Sequence, residues 1–435
     1  MRKLLFVAYH FPPIRHSATV RILKFSKYLP QFGWHPYILT INTPQKNNDE
    51  FEGIRKEDIY RSFLFHPRRI AKQLLLKRYE SLTHQRDKYI EPSPGWLKRL
   101  SRTISGWILI PDEAILWFPG ATRLGRKIIQ EKNIDVILTT SGPYSVSLIG
   151  LWLKRKCKLP WLADFRDNWT RLGTDIYQPT PFHSWIHQSF ERQVFYHADC
   201  VTSVQPDLYV GGDNNIHRKI KHLTNGFDPD DFPTDIKIDN NKKFRIVYAG
   251  SFYGDRKPDN FIKAISSLLD SNPKLRDDFE IDLYGSSAET FISRKLEELQ
   301  LSKIVKLKGN IPHDQILSEL QNADLLLLIL PNHQKTVYSG KLFEYLGSNR
   351  PILGLVPTDG VAAEIIEDTK SGIVVDPEDL SAIEDTIYGY YNQWRNGELT
   401  HFLSENTDKY SYTQIVPRLA KYLDEIYDTN PKTKI

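Results

Sequence analysis

The sequence predicts two doubly wound α/β domains in tandem, each built on a parallel sheet with a cleft between the domains. Three observations carry this. Short apolar runs alternate with helix-length spacers; the runs are continuous, as strands buried on both faces require; and the rhythm restarts after a polar, Asp-rich stretch, DPDDFPTDIKIDNNKK. At 435 residues the chain also exceeds the size at which one core stops growing.

In chain order, the first half offers KLLFVAYH, PYILTI, DVILTTS, WLADF, CVTSV and HLTNG as strands. Helical patterns lie near Thr19 to Phe32, Ala121 to Lys132, Tyr144 to Lys156 and His183 to His197. The second half offers RIVYAG, EIDLYG, VKLKG, ADLLLLIL, PILGLV and GIVVD. A last helix opens at Ser411, with Gln414 placed for a capping box, and is amphipathic through Ile415, Leu419, Leu423 and Ile426. The expected division is 1–228, with a basic insertion around 51–118; 242–410; and a helix over 411–428 that can pack back on the first domain.

Composition sets the class. Hydrophobic residues at 40%, aromatic at 12%, supply packed cores, and no stretch approaches the ~18 apolar residues that span a bilayer. KLLFVAY meets HFPP without a small-residue cleavage site, so it reads as a first strand rather than a signal. Cys157 and Cys200 form no metal-binding pattern and read as thiols in a reducing cytosol. The histidines show no metal-ligand spacing either, so no metal is expected. The net charge of +5 is mild but unevenly spread: Arg68, Arg69, Lys72, Lys77, Arg78, Lys98, Arg99 and Arg102 interleave with leucines and tryptophans. Such a segment suits the anionic inner face of a cytoplasmic membrane, the alternative being a solvated basic insertion. No helix-turn-helix, zinc-finger or RNA-recognition signature points to nucleic acid.

The chemistry gathers at Tyr338-Ser339-Gly340-Lys341-Leu342-Phe343-Glu344. A helix opening near Ser339 offers backbone N–H groups and a positive dipole end to a diphosphate, with Lys341 adding charge and Gly340 allowing close approach. Glu344, one turn on, is an acceptor suited to ribose hydroxyls. A capped amphipathic helix with solvated charges is the plainer reading. Ligands of open α/β sheets bind outside the C-terminal strand ends, which draws in the loop opened by Gly250 and Ser251. Its Arg256 and Lys257 are a candidate clamp for a leaving diphosphate. Gly285, before Ser286 and Ser287, suits a nucleobase or ribose. In the first half, Asp164 and Asp167 follow a strand; either carboxylate can orient or deprotonate an attacking hydroxyl, or tie the loop through Arg166. Ser141 sits in a turn signal beside the presumed cleft.

YAGSFYGDRKP, LYG, GNIPHDQILSELQNADLLLLIL, YSGKLFEYLGSNRPILGLVP and AAEIIEDTKSGIVVDPEDLSAI together resemble the donor-binding half of glycosyltransferase family four, which has the GT-B fold. HFPP, PDEAILWFPGA, TTSGPYSVSLIGLWLKR, LPWLADFRDNW and LTNGFDPDDF are similar to the acceptor-side domain of its bacterial surface-polysaccharide members. The resemblance implies metal-independent transfer of a hexose-type sugar from a nucleotide diphosphate, with retention, to a lipid-linked or glycan acceptor. It implies two departures as well. Many members carry a glutamate where Thr336 stands, and a Gly-Gly where Ile14-Arg15-His16-Ser17 stands, so Arg15 or His16 can supplement backbone contacts to the diphosphate. A non-enzymatic GT-B partner or scaffold is the second reading. A dinucleotide-dependent oxidoreductase is remote, since no G-x-G-x-x-G follows the first strand.

Overall fold

Every continuous apolar run of the second half becomes a strand, as do the first five of the first half. The computed structural model describes residues 1–14, 17–43, 51, 53–63, 107, 109–170, 180–206, 208, 213–233, 243–252, 254–285 and 289–430. The chain divides into two compact units, Met1–Leu223 with Val416–Ile435, and Thr224–Ile415.

The first unit holds β1 (Arg2–Val7), β2 (Trp34–Ile41), β3 (Ile59–Ser62), β4 (Val136–Ser141), β5 (Trp161–Phe165), β6 (Cys200–Ser203) and β7 (Ile220–His222). Its helices are α1 (Ser17–Tyr28), α2 (Phe118–Lys132), α3 (Ser145–Cys157), α4 (Pro181–His197) and α5 (Asn214–Lys219). The sheet order is β3-β2-β1-β4-β5-β6-β7, all parallel. β4, β5 and β6 are buried along their whole length, Thr140, Asp164 and Thr202 included, as strands covered on both faces are.

Three expectations shift here. The segment read as an insertion contributes β3 to the sheet, and Trp117, fully buried, donates from Nε1 to Ser62 Oγ at 2.6 Å. The four-residue strand is too short and too polar to stand out. The helical pattern near Thr19 to Phe32 is an α-helix to Tyr28 followed by a 3-10 turn, Leu29–Phe32, that carries Pro30 as its second residue and ends on left-handed Gly33. The strand read at HLTNG lies earlier, at Ile220–His222.

The second unit holds β8 (Phe244–Ala249), β9 (Phe279–Tyr284), β10 (Val305–Gly309), β11 (Leu325–Ile329), β12 (Ile352–Leu355) and β13 (Gly372–Val375), with helices α6 (Asp259–Ser271), α7 (Glu289–Glu298), α8 (His313–Gln321), α9 (Gly340–Ser348), α10 (Val361–Asp368) and α11 (Leu380–Arg395). The order β10-β9-β8-β11-β12-β13 is again parallel throughout. Successive residues of β8 feed opposite faces, Ile246 and Tyr248 joining one core and Val247 and Ala249 the other.

The division falls at Leu223, not at residue 228. Phe227 explains it: its N–H donates to the Tyr410 carbonyl at 3.0 Å, its carbonyl accepts from Tyr412 N at 2.8 Å, and with Phe232 it packs against Gly347. The last helix, α12 (Tyr412–Asp428), begins with Ser411 Oγ accepting from Thr413 N at 3.2 Å and buries Ile415, Leu419, Leu423 and Ile426. From Val416 on, it belongs to the first unit, where Asp424 accepts from Trp34 Nε1 at 2.9 Å and pairs with Arg2.

Candidate active site

In the second sheet the strand order reverses between β8 and β11, the place where open α/β sheets leave a crevice at their C-terminal ends. Helix α9 starts there. Its apolar residues Leu342, Phe343, Tyr345 and Leu346 are buried, which leaves the polar N-terminal turn facing outward. Tyr345 fixes that turn: its buried hydroxyl accepts from Ala249 N and donates to the Leu327 carbonyl, both at 3.0 Å, tying the helix to both strands. The Ser339 side chain makes no capping bond, and the first turn carries no acidic residue, so the positive end of the helix keeps its appeal to an anion.

Three charged side chains gather around it. Lys341 Nζ donates to Tyr248 Oη at 2.9 Å and lies 4.4 Å from the centroid of that ring. Gly250 makes room: its φ of +140° favours glycine, and a Cβ there would sit 1.8 Å from Lys341 Nζ and push the ammonium out of its place. Arg256, buried in the loop after β8, donates from Nη2 to Gln334 Oε1 at 3.0 Å. Burial first, then repulsion from Arg256, pulls the Lys341 ammonium down to about 7, with Glu344 acting the other way. Glu344, half-buried one turn along, has Oε1 at 2.9 Å from Nε2 of His313, the first residue of α8. Lysine, arginine and carboxylate are thus near enough to act on one ligand.

Other expected donor residues fall elsewhere. Leu342 is fully buried in the core, and its N–H donates to the Ser339 carbonyl at 3.1 Å, so it contributes no side-chain contact. Gly285 lets two strand ends touch: a Cβ there would lie 2.2 Å from the Gly250 carbonyl, while Ser286 and Ser287, read with it as a nucleobase or ribose loop, lie outside the described residues. Lys257 is exposed and lines a cavity of about 510 Å³ with Asp255, Asp259, Asn260, Asn332 and His333. Ser251 is half-buried beside Gly250, and a Cβ on Gly340 would meet open space, as a ligand-facing position should. Tyr248, Tyr345, Gln334 and His313 escape the sequence reading because each looks like ordinary core or loop; the tyrosine closing an otherwise aliphatic strand in RIVYAG was the one available signal.

In the first unit Asp164 is a structural residue, which corrects its reading as a candidate base. It is fully buried; Oδ2 accepts from Arg21 Nε at 3.0 Å and Thr140 Oγ1 at 2.9 Å, and Oδ1 from Arg21 Nη2 and Thr202 Oγ1 at 2.7 Å each. With four bonds on two oxygens, it has no room for a substrate proton. Arg166 is largely covered, its side chain 11% exposed, and donates from Nε to the Ser141 carbonyl at 3.1 Å; burial lowers its pKa, while Asp167 and Asp164 act the other way. Asp167 differs. Its carboxylate is 59% exposed and pairs with Arg166 Nη2 at 3.8 Å, an ion pair without a hydrogen bond, so the geometry accommodates both the base and the loop-tying readings. The Ser141 side chain is buried, leaving its carbonyl as the group in use. Arg15 and His16 lie outside the described residues, as do the basic residues between Arg68 and Arg102. Among the described residues no three His, Cys, Asp or Glu are grouped to hold a metal ion.

Comparison with known proteins adds to this geometry. Residues 231–410 match the family model described as glycosyl transferases group 1, and residues 77–209 match the glycosyl transferase 4-like domain. No curated protein is detectably similar in sequence. Among solved structures, the chain is similar to sucrose-phosphate synthase from Thermosynechococcus elongatus, with TM-score 0.63 and 14% identity over 98% of this chain and 100% of the other. It is similar also to Anabaena Alr3699/HepE in complex with UDP-glucose, with TM-score 0.58 and 14% identity over 98% and 100%. TarM matches at TM-score 0.61 and 13% identity over 99% of both chains. Each shares the arrangement of two Rossmann-like α/β domains.

Proposed function

We propose that this protein, a glycosyltransferase of the GT-B fold by its two matched domains and paired parallel sheets, takes its sugar from a nucleotide diphosphate. The carrying observation is the convergence of Lys341, Arg256 and Glu344 on the open N-terminus of α9. The structural relative with UDP-glucose bound supports the same donor class. As the bond between sugar and diphosphate breaks, charge grows on the phosphate oxygens; the helix amides, Lys341 and Arg256 are fixed where they can stabilise it. Glu344, oriented by His313, receives the ribose hydroxyls. A partner that kept only the fold would have no use for these three charges together.

Glu344→Gln tests the donor site. The amide keeps the volume but weakens a charge-assisted bond, so nucleotide affinity should drop about tenfold with the melting temperature unchanged. Calorimetry showing wild-type affinity removes Glu344 from the site.

Retention at the anomeric carbon, membership of family four and a lipid-linked or surface-polysaccharide acceptor follow from the sequence resemblance. The basic segment supports contact with an anionic membrane face, and among the described residues no helix is long and apolar enough to cross a membrane. On the acceptor side the reading rests on Asp167, whose exposed carboxylate, only loosely paired with Arg166, can take the proton of an attacking hydroxyl. Asp167→Asn should leave donor affinity intact and slow transfer by about a hundredfold or more. A lower melting temperature with normal turnover would make Asp167 structural instead.

A further inference from the structure

We propose that Tyr248 is a positioning residue for the donor diphosphate: its hydroxyl and ring face together hold the Lys341 ammonium in the notch above Gly250, at the first turn of α9. The inference deepens the reading of this site as the donor site and rests on it. A lysine has a long flexible stem and three rotatable donors, and left to itself it spreads its charge over a wide volume. Here one donor is occupied by Tyr248 Oη at 2.9 Å and the cation sits 4.4 Å from the ring centroid. Two donors remain for phosphate oxygens. The platform is rigid: Tyr248 is fully buried, and its ring stacks on Phe252 at 4.4 Å with an 8° tilt. The Gly250 notch completes the seat, since any side chain there would displace the ammonium.

The position has a consequence for protons. The groups facing Lys341 are the Tyr248 hydroxyl, Arg256 from the loop after β8, and Glu344 on its own helix, with His313 of α8 behind Glu344; the Tyr345 hydroxyl is committed to backbone. Burial and Arg256 bring the lysine down to about 7, so the empty site loses its proton as pH rises through neutrality. A bound diphosphate opposes that loss and raises the value. The sign follows: binding takes up no proton well below 7 and up to one above it, and affinity falls by up to about tenfold per pH unit above 7 until the value in the complex is reached. Removing the Tyr248 hydroxyl removes an acceptor that favours the charged form, so the onset moves to lower pH.

The test is calorimetric titration from pH 6 to 9 with UDP-glucose, whose diphosphate is esterified at both ends and so lacks the terminal phosphate proton that titrates at about 6, in two buffers of different ionisation heat, on wild type, Tyr248→Phe and Lys341→Ala. Wild type should take up a fraction of a proton at pH 7.5 and little at pH 6. Tyr248→Phe should bind about tenfold more weakly at pH 7.5, with a gap that narrows toward pH 6 and an uptake curve shifted to lower pH. Lys341→Ala should bind weakly and take up no proton at any pH, which keeps the proposal testable even where Tyr248→Phe does not fold. The proposal is overturned by UDP-glucose binding without proton uptake in wild type, or by a Tyr248→Phe loss that is equal at all pH values and tracks a lower melting temperature. Wild-type protein that binds no nucleoside diphosphate, ADP and GDP included, overturns the donor reading itself and this proposal with it.

Discussion

Alanine at Arg21 or Asp164 is expected to cost about 3–5 kcal/mol of stability, because removing either partner strands the other as an uncompensated buried charge. Both side chains are essentially inaccessible, at 1% and 0% exposure. The pair also organises the middle of the first sheet: the register sets Thr140, Asp164 and Thr202 side by side on β4, β5 and β6, and the two threonine hydroxyls complete what Arg21 begins. Arg21 Nη2 reaches on to the Leu223 carbonyl at 3.0 Å, at the end of the unit. Against a typical total of about 5–15 kcal/mol, such a loss is enough to deplete folded protein at body temperature. Guanidinium unfolding of Asp164→Ala reads it directly. A midpoint equal to wild type would mean that the site relaxes and rehydrates, and the ion pair would no longer explain the arrangement.

The opposite pattern is expected at Lys341. Its ammonium is held against Tyr248 at the cost of desolvation, so Lys341→Ala relieves a strained charge and should leave the melting temperature within a few degrees of wild type. Turnover should fall by about a hundred- to a thousandfold, the usual weight of a fixed electrostatic donor at a leaving group. Steady-state transfer measured beside thermal unfolding on one preparation separates the two. Turnover equal to wild type would take Lys341 out of the reaction.

These two variants also mark what the sequence can and cannot reveal. The strands were legible because burial on both faces forces long apolar runs, and β11, LLLLI, is the extreme case. β3 was not, since an edge strand of four residues has little apolar length to display. At the donor site, Lys341 and Glu344 could be read because helix spacing is local. The pairing of Lys341 with Tyr248 spans 93 residues and depends on which strand ends adjoin, which no local pattern encodes. Asp164 and Asp167 illustrate the same limit. Three positions apart in one polar cluster, they look equivalent, yet strand register sends the first into a ring of donors and the loop leaves the second in water.

The course of α12 has a consequence for how the protein is made. The first unit draws on both extremities of the chain, with Arg2 and Trp34 meeting Asp424 across separations of 422 and 390 residues. During synthesis its sheet can assemble as soon as β7 leaves the ribosome, but the surface around Trp34 stays uncovered while the whole second unit is translated. At about 5–20 residues per second, that interval lasts on the order of ten seconds to a minute. Closing so long a loop adds little thermodynamic penalty, because the entropy grows only with the logarithm of length. The exposure is therefore kinetic. A nascent chain in this interval presents a tryptophan-bearing apolar patch that either waits for α12 or is shielded by a chaperone.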